Sequence, residues 1–303
     1  MIYLYTGENS FALAEKINLV SRSFKNKYSD TSLERIDGGD ITATELQARL
    51  TSVDMFTPRK LLVITGAAHE KTIWDALAKS LPLVPNSTEV VIVEPKLDAR
   101  LNSTKEIKRL ATITEFKPLK PYELDQWVKK TSQRLGLELK GDAHKLIIDS
   151  CGGNQWEISH ELEDLSHVTR AVTDGVVHKY IQPSPETNAF QILELAVDRD
   201  LSGLNLAIDI LSQKEDINKF LGLITSQVFA LAAIKNQPDA TNNAARDMGL
   251  APFMLVKQQG LANKLTADQL NSLISNIAKI DGRVKLGDDG WALIRVTLNQ
   301  LFS

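Results

Sequence analysis

Residues 2–14 read IYLYTGENSFALA. A short apolar run stops at Gly7, and apolar residues then recur with a helical period at Phe11, Ala14, Ile17, Val20 and Phe24. A strand, a glycine turn and a helix in that order open a parallel α/β unit, because parallel strands need a crossover to join them. The same turn invites a test for phosphate binding. A phosphate loop has the pattern GxxxxGK[ST]: its glycines let backbone N–H groups approach the phosphates, and its lysine meets their charge. After Gly7 the second glycine is replaced by Ala12, the lysine by Leu13 and the hydroxyl by Ala14. The topology is that of a phosphate loop and the chemistry is not, so nucleotide hydrolysis is not expected.

The pattern continues downstream. LERIDGGD at 33–40 reads as a strand entering a glycine turn, and Thr42 with Glu45 reads as a capping box that opens a helix. KLLVITG and EVVIVEP are nearly unbroken aliphatic runs, as expected of strands covered on both faces. HEKTIWDALAKSLP between them reads as a helix, and ATITEFKPLKP as a last strand and its exit. Glu94 at the end of VVIVE sits where an acid holds magnesium in nucleotide hydrolases; without a phosphate lysine it reads as an ordinary strand end. After Pro121 strand signals nearly vanish. YELDQWVKKTSQRLG, DAHKLIIDSCGGN and QWEISHELEDLSHV read as helices, and TDGVVHKYIQPSP ends the block, with its Pro183, Ser184 and Pro185 as the best linker candidate. From Glu186 on all is helical, with Ile217, Leu221, Ile224, Val228 and Leu231 forming one apolar stripe. The chain thus divides into an α/β domain with a mostly parallel sheet (1–120), a small all-α domain (121–183) and an all-α C-terminal domain (184–303).

Composition narrows the functional classes. At 303 residues and 43% hydrophobic, the chain has material for more than one core. A net charge of −3 excludes a uniformly polybasic nucleic-acid binder. One cysteine, Cys151, excludes a disulfide framework and fits a reducing, cytoplasmic compartment. MIYLYTGENS lacks the basic start and apolar stretch of a signal peptide, and no stretch reads as the roughly 20 apolar residues of a membrane helix. HELED at 160–164 starts like a zinc-protease motif, but Asp164 stands where the second histidine belongs. Cys151 beside two glycines reads as a small buried residue, and GDDG at 287–290 as a turn. No catalytic residues, cofactor or metal are expected. Residues 96–134 carry ten basic and five acidic side chains, a local net of +5. That segment is either a solvated surface balanced elsewhere or a phosphate-backbone contact, with Lys105, Lys108, Arg109, Lys129 and Lys130 as the candidates.

The helix that opens at Thr42 raises a separate question. Leu46, Leu50 and Val53 share one face, and Met55 falls about 180° from it at 100° per residue. Pro58 stops the helix and pulls Thr57 out of helical geometry. Two placements remain: the pair Met55 and Phe56 projects at a tip as a partner contact, or the turn curls back and buries both.

At this point the chain resembles the delta subunit family of bacterial DNA polymerase III clamp loaders over nearly its whole length. IYLYTGEN is similar to the family's first strand and degenerate phosphate loop. VDMFTPRKLLVI is similar to its clamp-binding segment, and VEPKLDARLNSTKEIKRLATITEFKPL to its run of strand, aspartate–basic turn and strand. LIIDSCGGNQWEISHELEDL, GLAPFMLVKQQGLANKLTADQL and IAKIDGRVKLG resemble its glycine turn and C-terminal domain. The resemblance implies an AAA+-like module, the α/β domain plus a helical lid, followed by a helical collar. It implies a subunit that binds the sliding clamp and opens the ring without hydrolysing ATP. It also implies assembly through the collar with the gamma/tau and delta prime subunits, around primed DNA and away from any membrane. The family lacks the arginine-finger tripeptide Ser-Arg-Cys, and no such tripeptide occurs in this sequence. Met55 and Phe56 take the clamp-binding positions, flanked by Val53 and Asp54; the family usually has leucine at the position of Met55.

Overall fold

The structure is a computed structural model, which describes residues 1–53, 59–236 and 252–301. It consists of two compact units, Met1–Pro118 and Leu119–Ser303.

The first unit alternates strand and helix. It contains β1 (Ile2–Thr6), α1 (Ser10–Lys27), β2 (Leu33–Asp37), α2 (Ala43–Thr51), β3 (Lys60–Thr65), α3 (Lys71–Ser80), β4 (Thr88–Val93), α4 (Asn102–Leu110) and β5 (Thr112–Glu115). The five strands form one sheet in the order β2-β3-β4-β1-β5, every pair parallel. Consecutive β3 residues Leu61, Leu62, Val63 and Ile64 are all buried, as are Val90 to Val93 in β4. Each is apolar because each faces a helix layer. Leu61, Val63, Val91 and Val93 pack with Tyr5, Leu13 and Phe24 on the α1 side. Leu62, Ile64, Val90 and Ile92 pack with Leu46, Leu50, Trp74, Leu77 and Ile107 on the side of α2, α3 and α4. Right-handed crossovers require this split. The path β1 to β2 runs one way across the sheet, and every later connection runs the other way. Trp74 is fully buried, and its indole Nε1 donates to Thr104 Oγ1 at 2.9 Å, tying α3 to α4.

The second unit holds two apolar clusters. Its first part contains α5 (Pro121–Arg134), β6 (Glu138–Leu139), α6 (Ala143–Ser150), α7 (Gln155–Val168), β7 (Ala171–Val172) and α8 (Asp174–Tyr180) around Val128, Ile147, Ile158 and Leu162. Its second part contains α9 (Pro185–Val197), α10 (Leu201–Ser212), α11 (Ile217–Asn236), α12 (Pro252–Lys264), α13 (Ala267–Lys285) and α14 (Gly290–Leu301) around Leu193, Ile208, Ile224, Leu231 and Leu273. In the predicted α11 stripe, Leu221, Ile224, Val228 and Leu231 are buried and Ile217 is partly buried. Of GDDG, residues 287–289 lie in the turn between α13 and α14, and Gly290 begins α14.

Of the linker residues Pro183, Ser184 and Pro185, the first two lie between α8 and α9 and Pro185 opens α9, while residues 174–180 before them form α8. The structure corrects three sequence expectations. The stretch read as strand, turn and strand at 93–119 contains α4. The helical reading after Pro121 omits the short parallel pair β6–β7. Finally, α11 is itself long and apolar enough to cross a membrane by length and composition, against the reading that no stretch is. Its apolar stripe lies in the second cluster of this unit.

Candidate functional site

The turn after β1 is built around the backbone of Phe116. Gly7 adopts φ +115, a region that side-chain-bearing residues rarely enter. A Cβ at Gly7 would lie 2.2 Å from the carbonyl oxygen of Phe116. The Gly7 amide donates to Pro95 O at 3.1 Å, and the Asn9 amide to Phe116 O at 3.0 Å. Asn9 Nδ2 donates to Lys117 O at 3.2 Å while its Oδ1 accepts from the Ala12 amide at 2.9 Å, so one side chain closes the turn and caps α1. None of Glu8, Asn9, Ser10 and Phe11 is without a partner. Amides that a phosphate loop turns outward are here directed at the protein's own oxygens. Leu13, at the lysine position of the motif, is 4% exposed and packs in the core on the α1 side. Sequence comparison found the missing lysine; the use of the turn as a clasp between the exits of β4 and β5 was not legible.

Glu94 directly follows β4 and is 2% exposed. Its Oε1 accepts from the Ala68 amide at 2.9 Å, which ties this strand end to the turn after β3. Burial pushes its carboxyl above the ordinary range, opposed by the amide hydrogen bond from Ala68. The acid therefore points inward and has a structural partner, in line with the reading of an ordinary strand end.

The tip after α2 is described only in part. The capping box is present, with Thr42 N donating to Glu45 Oε2 at 3.0 Å and Glu45 N to Thr42 Oγ1 at 3.3 Å. Leu46 and Leu50 are fully buried. The helix ends at Thr51, earlier than Pro58, because Ser52 is already extended at φ −65 and ψ 137. Val53, expected on the buried face of a longer helix, is 69% exposed. Asp54, Met55, Phe56, Thr57 and Pro58 lie outside the described residues. Both flanks of this segment are anchored. Glu34 takes ion pairs from Arg49 on α2 and, at 2.8 Å, from Lys60 on β3. Arg59 Nη1 donates to Asn86 O at 2.9 Å.

The basic candidates fall on two helices in different units. Lys105, Lys108 and Arg109 are exposed on α4, whose buried side carries Thr104 and Ile107. Lys129 and Lys130 are exposed on α5, with Lys129 bonded to Asp125 at 2.8 Å. Other charges of the 96–134 segment are paired locally, Arg100 with Asp98 at 2.8 Å and Lys117 with Glu115 at 3.3 Å. The Arg100 guanidinium holds the Asp98 carboxyl at about 2. Cys151 is buried, and desolvation pushes its thiol up to about 12. His160 lies 3.7 Å from Asp164, both exposed, and no group of three metal-ligating side chains comes together among the described residues.

Comparison with known proteins adds the following. The family model for "DNA polymerase III, delta subunit" matches residues 3–117, and that for the "DNA polymerase III delta subunit, C-terminal domain" matches residues 186–294. A curated relative from Aquifex aeolicus, "Probable DNA polymerase III subunit delta", is 22% identical over 92% of this chain and 87% of its own length. Among solved structures, the Bacillus subtilis DNA clamp loader delta protein superposes with a TM-score of 0.79 at 20% identity, covering 99% of this chain and 95% of that one. At that identity the match establishes a shared fold.

Proposed function

Because this chain belongs to the DNA polymerase III delta subunit family, we propose that it binds the sliding clamp and opens the ring for loading onto primed DNA, without hydrolysing ATP itself. We assign residues 1–120 to the clamp-binding AAA+-like domain, 121–183 to the lid and 184–303 to a collar that assembles with the gamma/tau and delta prime subunits in the cytoplasm. Met55 and Phe56 form the contact, flanked by Val53 and Asp54. The observation that carries this reading is the end of α2: the chain leaves the helix at Ser52 and is already exposed at Val53, just before the segment that resembles the family's clamp contact. The anchoring of both flanks by Glu34, Arg49, Lys60 and Arg59 supports a contact presented between fixed ends.

The mechanism is preferential binding. Two apolar side chains entering a pocket on the clamp contribute roughly 1.5–3 kcal/mol each. If they fit an open interface better than a closed one, that difference shifts the ring's population toward open. A non-hydrolysing role is supported by the turn after β1, whose amides meet Pro95 and Phe116. No intrinsic active site is proposed; the chain serves as a non-catalytic part of the polymerase holoenzyme.

Replacing Met55 and Phe56 together by alanine should lower clamp affinity by a factor of roughly 10² to 10⁴, taking 1.4 kcal/mol per tenfold. Collar assembly should remain intact. Undiminished clamp binding would remove the site assignment. The exposed trio Lys105, Lys108 and Arg109 on α4, with Lys129 and Lys130 on α5, favours a second reading in which the chain is an adaptor that itself binds DNA. That reading requires salt-dependent DNA binding by the isolated chain.

A further inference from the structure

The second unit contains a seat that the clamp-binding role does not use. Between α6 and α7 the chain turns through Gly152 and Gly153, both left-handed at φ +56 and +75. The turn closes on itself: the Gly153 amide donates to Ile148 O at 2.9 Å and the Asn154 amide to Cys151 O at 2.9 Å. The missing side chain at Gly153 is filled by the aromatic ring at the start of α12. A Cβ there would stand 2.9 Å from Phe253 Cβ and 3.0 Å from its Cδ1. A Cβ at Gly152 would stand 3.2 Å from Thr187 Oγ1 on α9 and 3.9 Å from Met254 Sδ. Phe253 thus packs with the first apolar cluster of the unit, whereas Leu255, Leu261 and Ala262 of the same helix belong to the second.

Three further contacts hold the seat. Lys257, one turn along α12, pairs with Asp149 at 2.7 Å, and its Nζ lies 5.3 Å from the centre of the Phe253 ring. The Ser184 amide, just before α9, donates to Ser150 O at 3.0 Å.

We propose that Phe253 seated on the Gly152–Gly153 turn is a mechanical latch that joins α6 and α7 to the bundle of α9 to α14, so that the two clusters move as one body. Glycine at 153 is needed twice, for its backbone angle and for the space the ring takes. The ring carries the coupling and the ion pair adds little. Lys257 and Asp149 are about a third and two-fifths exposed, and pairs of that kind are worth ~0–1 kcal/mol.

The test needs no clamp, so it stands or falls apart from the clamp-binding assignment. One spin label is placed at exposed His160 on α7 and one at exposed Ser275 on α13, in the full chain, and the distance distribution between them is measured. The intact chain should give one narrow distance. Phe253→Ala should broaden it or add a second population, with helical content unchanged. Gly153→Ser, which displaces the ring without leaving a cavity, should do the same, and Lys257→Met should leave the distribution narrow. A broad distribution in the intact chain overturns the latch. So does an unchanged distribution in both Phe253→Ala and Gly153→Ser.

Discussion

Replacing Gly7 by alanine tests whether the turn after β1 is a clasp. The new methyl group would meet the Phe116 carbonyl oxygen at 2.2 Å and the Phe116 carbonyl carbon and amide nitrogen at 2.7 Å each. These are backbone atoms, so no rotamer change relieves the clash. Alanine at φ +115 adds strain of about 1–3 kcal/mol. Moving Phe116 also loosens two bonds, Asn9 N to Phe116 O at 3.0 Å and Phe116 N to Thr6 O at 2.7 Å, worth about 0.5–1.5 kcal/mol each. The expected loss is therefore about 2–6 kcal/mol, confined first to the β1–β5 side of the sheet. Amide hydrogen exchange reads this locally, and protection at Leu4 and Tyr5 should fall by a factor of roughly 30 to 10⁴, at 1.4 kcal/mol per tenfold. Gly39→Ala is the control, since its Cβ would meet only Asp37 Oδ1 at an ordinary 3.5 Å. A change below about 1 kcal/mol at Gly7, or an equal change at Gly39, would refute the reasoning.

Three other outcomes are expected. Glu94→Gln should gain stability relative to the parent as pH rises. The folded carboxyl resists ionisation because burial raises its pKa, so the parent loses stability between the unfolded and the raised folded value and keeps that deficit above it; exchange protection at Ala68 across pH 4 to 8 checks this, and a gap that closes with rising pH would contradict it. Arg199 ends α9 in the left-handed region at φ 60, with its amide on Ala196 O and that of Asp200 on Leu195 O. Glycine there should stabilise the unit by about 0.5–1 kcal/mol, the relieved strain exceeding the entropy glycine adds to the unfolded chain, visible as a higher thermal midpoint. Gln258 is fully buried, donates to Gln227 Oε1 and leaves its own Oε1 without a partner. Gln227→Leu alone should cost about 1–3 kcal/mol by stranding the Gln258 amide, while the double leucine variant should be near neutral or better; additive losses in thermal melts would contradict it.

How much of this was legible depended on how locally each feature is encoded. The unbroken runs in β3 and β4 announce strands covered on both sides, because four consecutive buried positions leave no room for polar residues. The helix α4 was hidden because Ser103 and Thr104 share its buried side with Ile107, so the apolar period is almost absent. β6 and β7 have two residues each, too few to show any alternation. The wheel through Val53 failed for another reason: a helix period projects only as far as the helix lasts, and Ser52 leaves it. At the first turn, the sequence exposed the lost lysine, a matter of residue type. The direction of Leu13 and the hydrogen bonds to Pro95 and Phe116 depend on strands more than eighty residues away.

These long-range contacts bear on where binding can occur. Open α/β sheets hold ligands beyond the carboxyl ends of their strands, where the strand order reverses. In this sheet that region lies at β1, between β4 and β5. Among the described residues it is closed from within: Gly7 binds Pro95, Asn9 binds Phe116 and Lys117, and Glu94 binds Ala68. The glycine, the capping asparagine and the acid are residue types that a nucleotide site also employs, yet each is turned inward to join neighbouring strand exits. A sheet fastened in this way gives a stiff base. Stiffness at the base favours a partner contact at a projecting edge, since a side chain on a rigid support loses less entropy on binding. The exit of α2 reaches exposed Val53 and is held by buried Leu46 and Leu50 and by the pairing of Glu34 with Arg49 and Lys60, so the proposed contact would start from a fixed support.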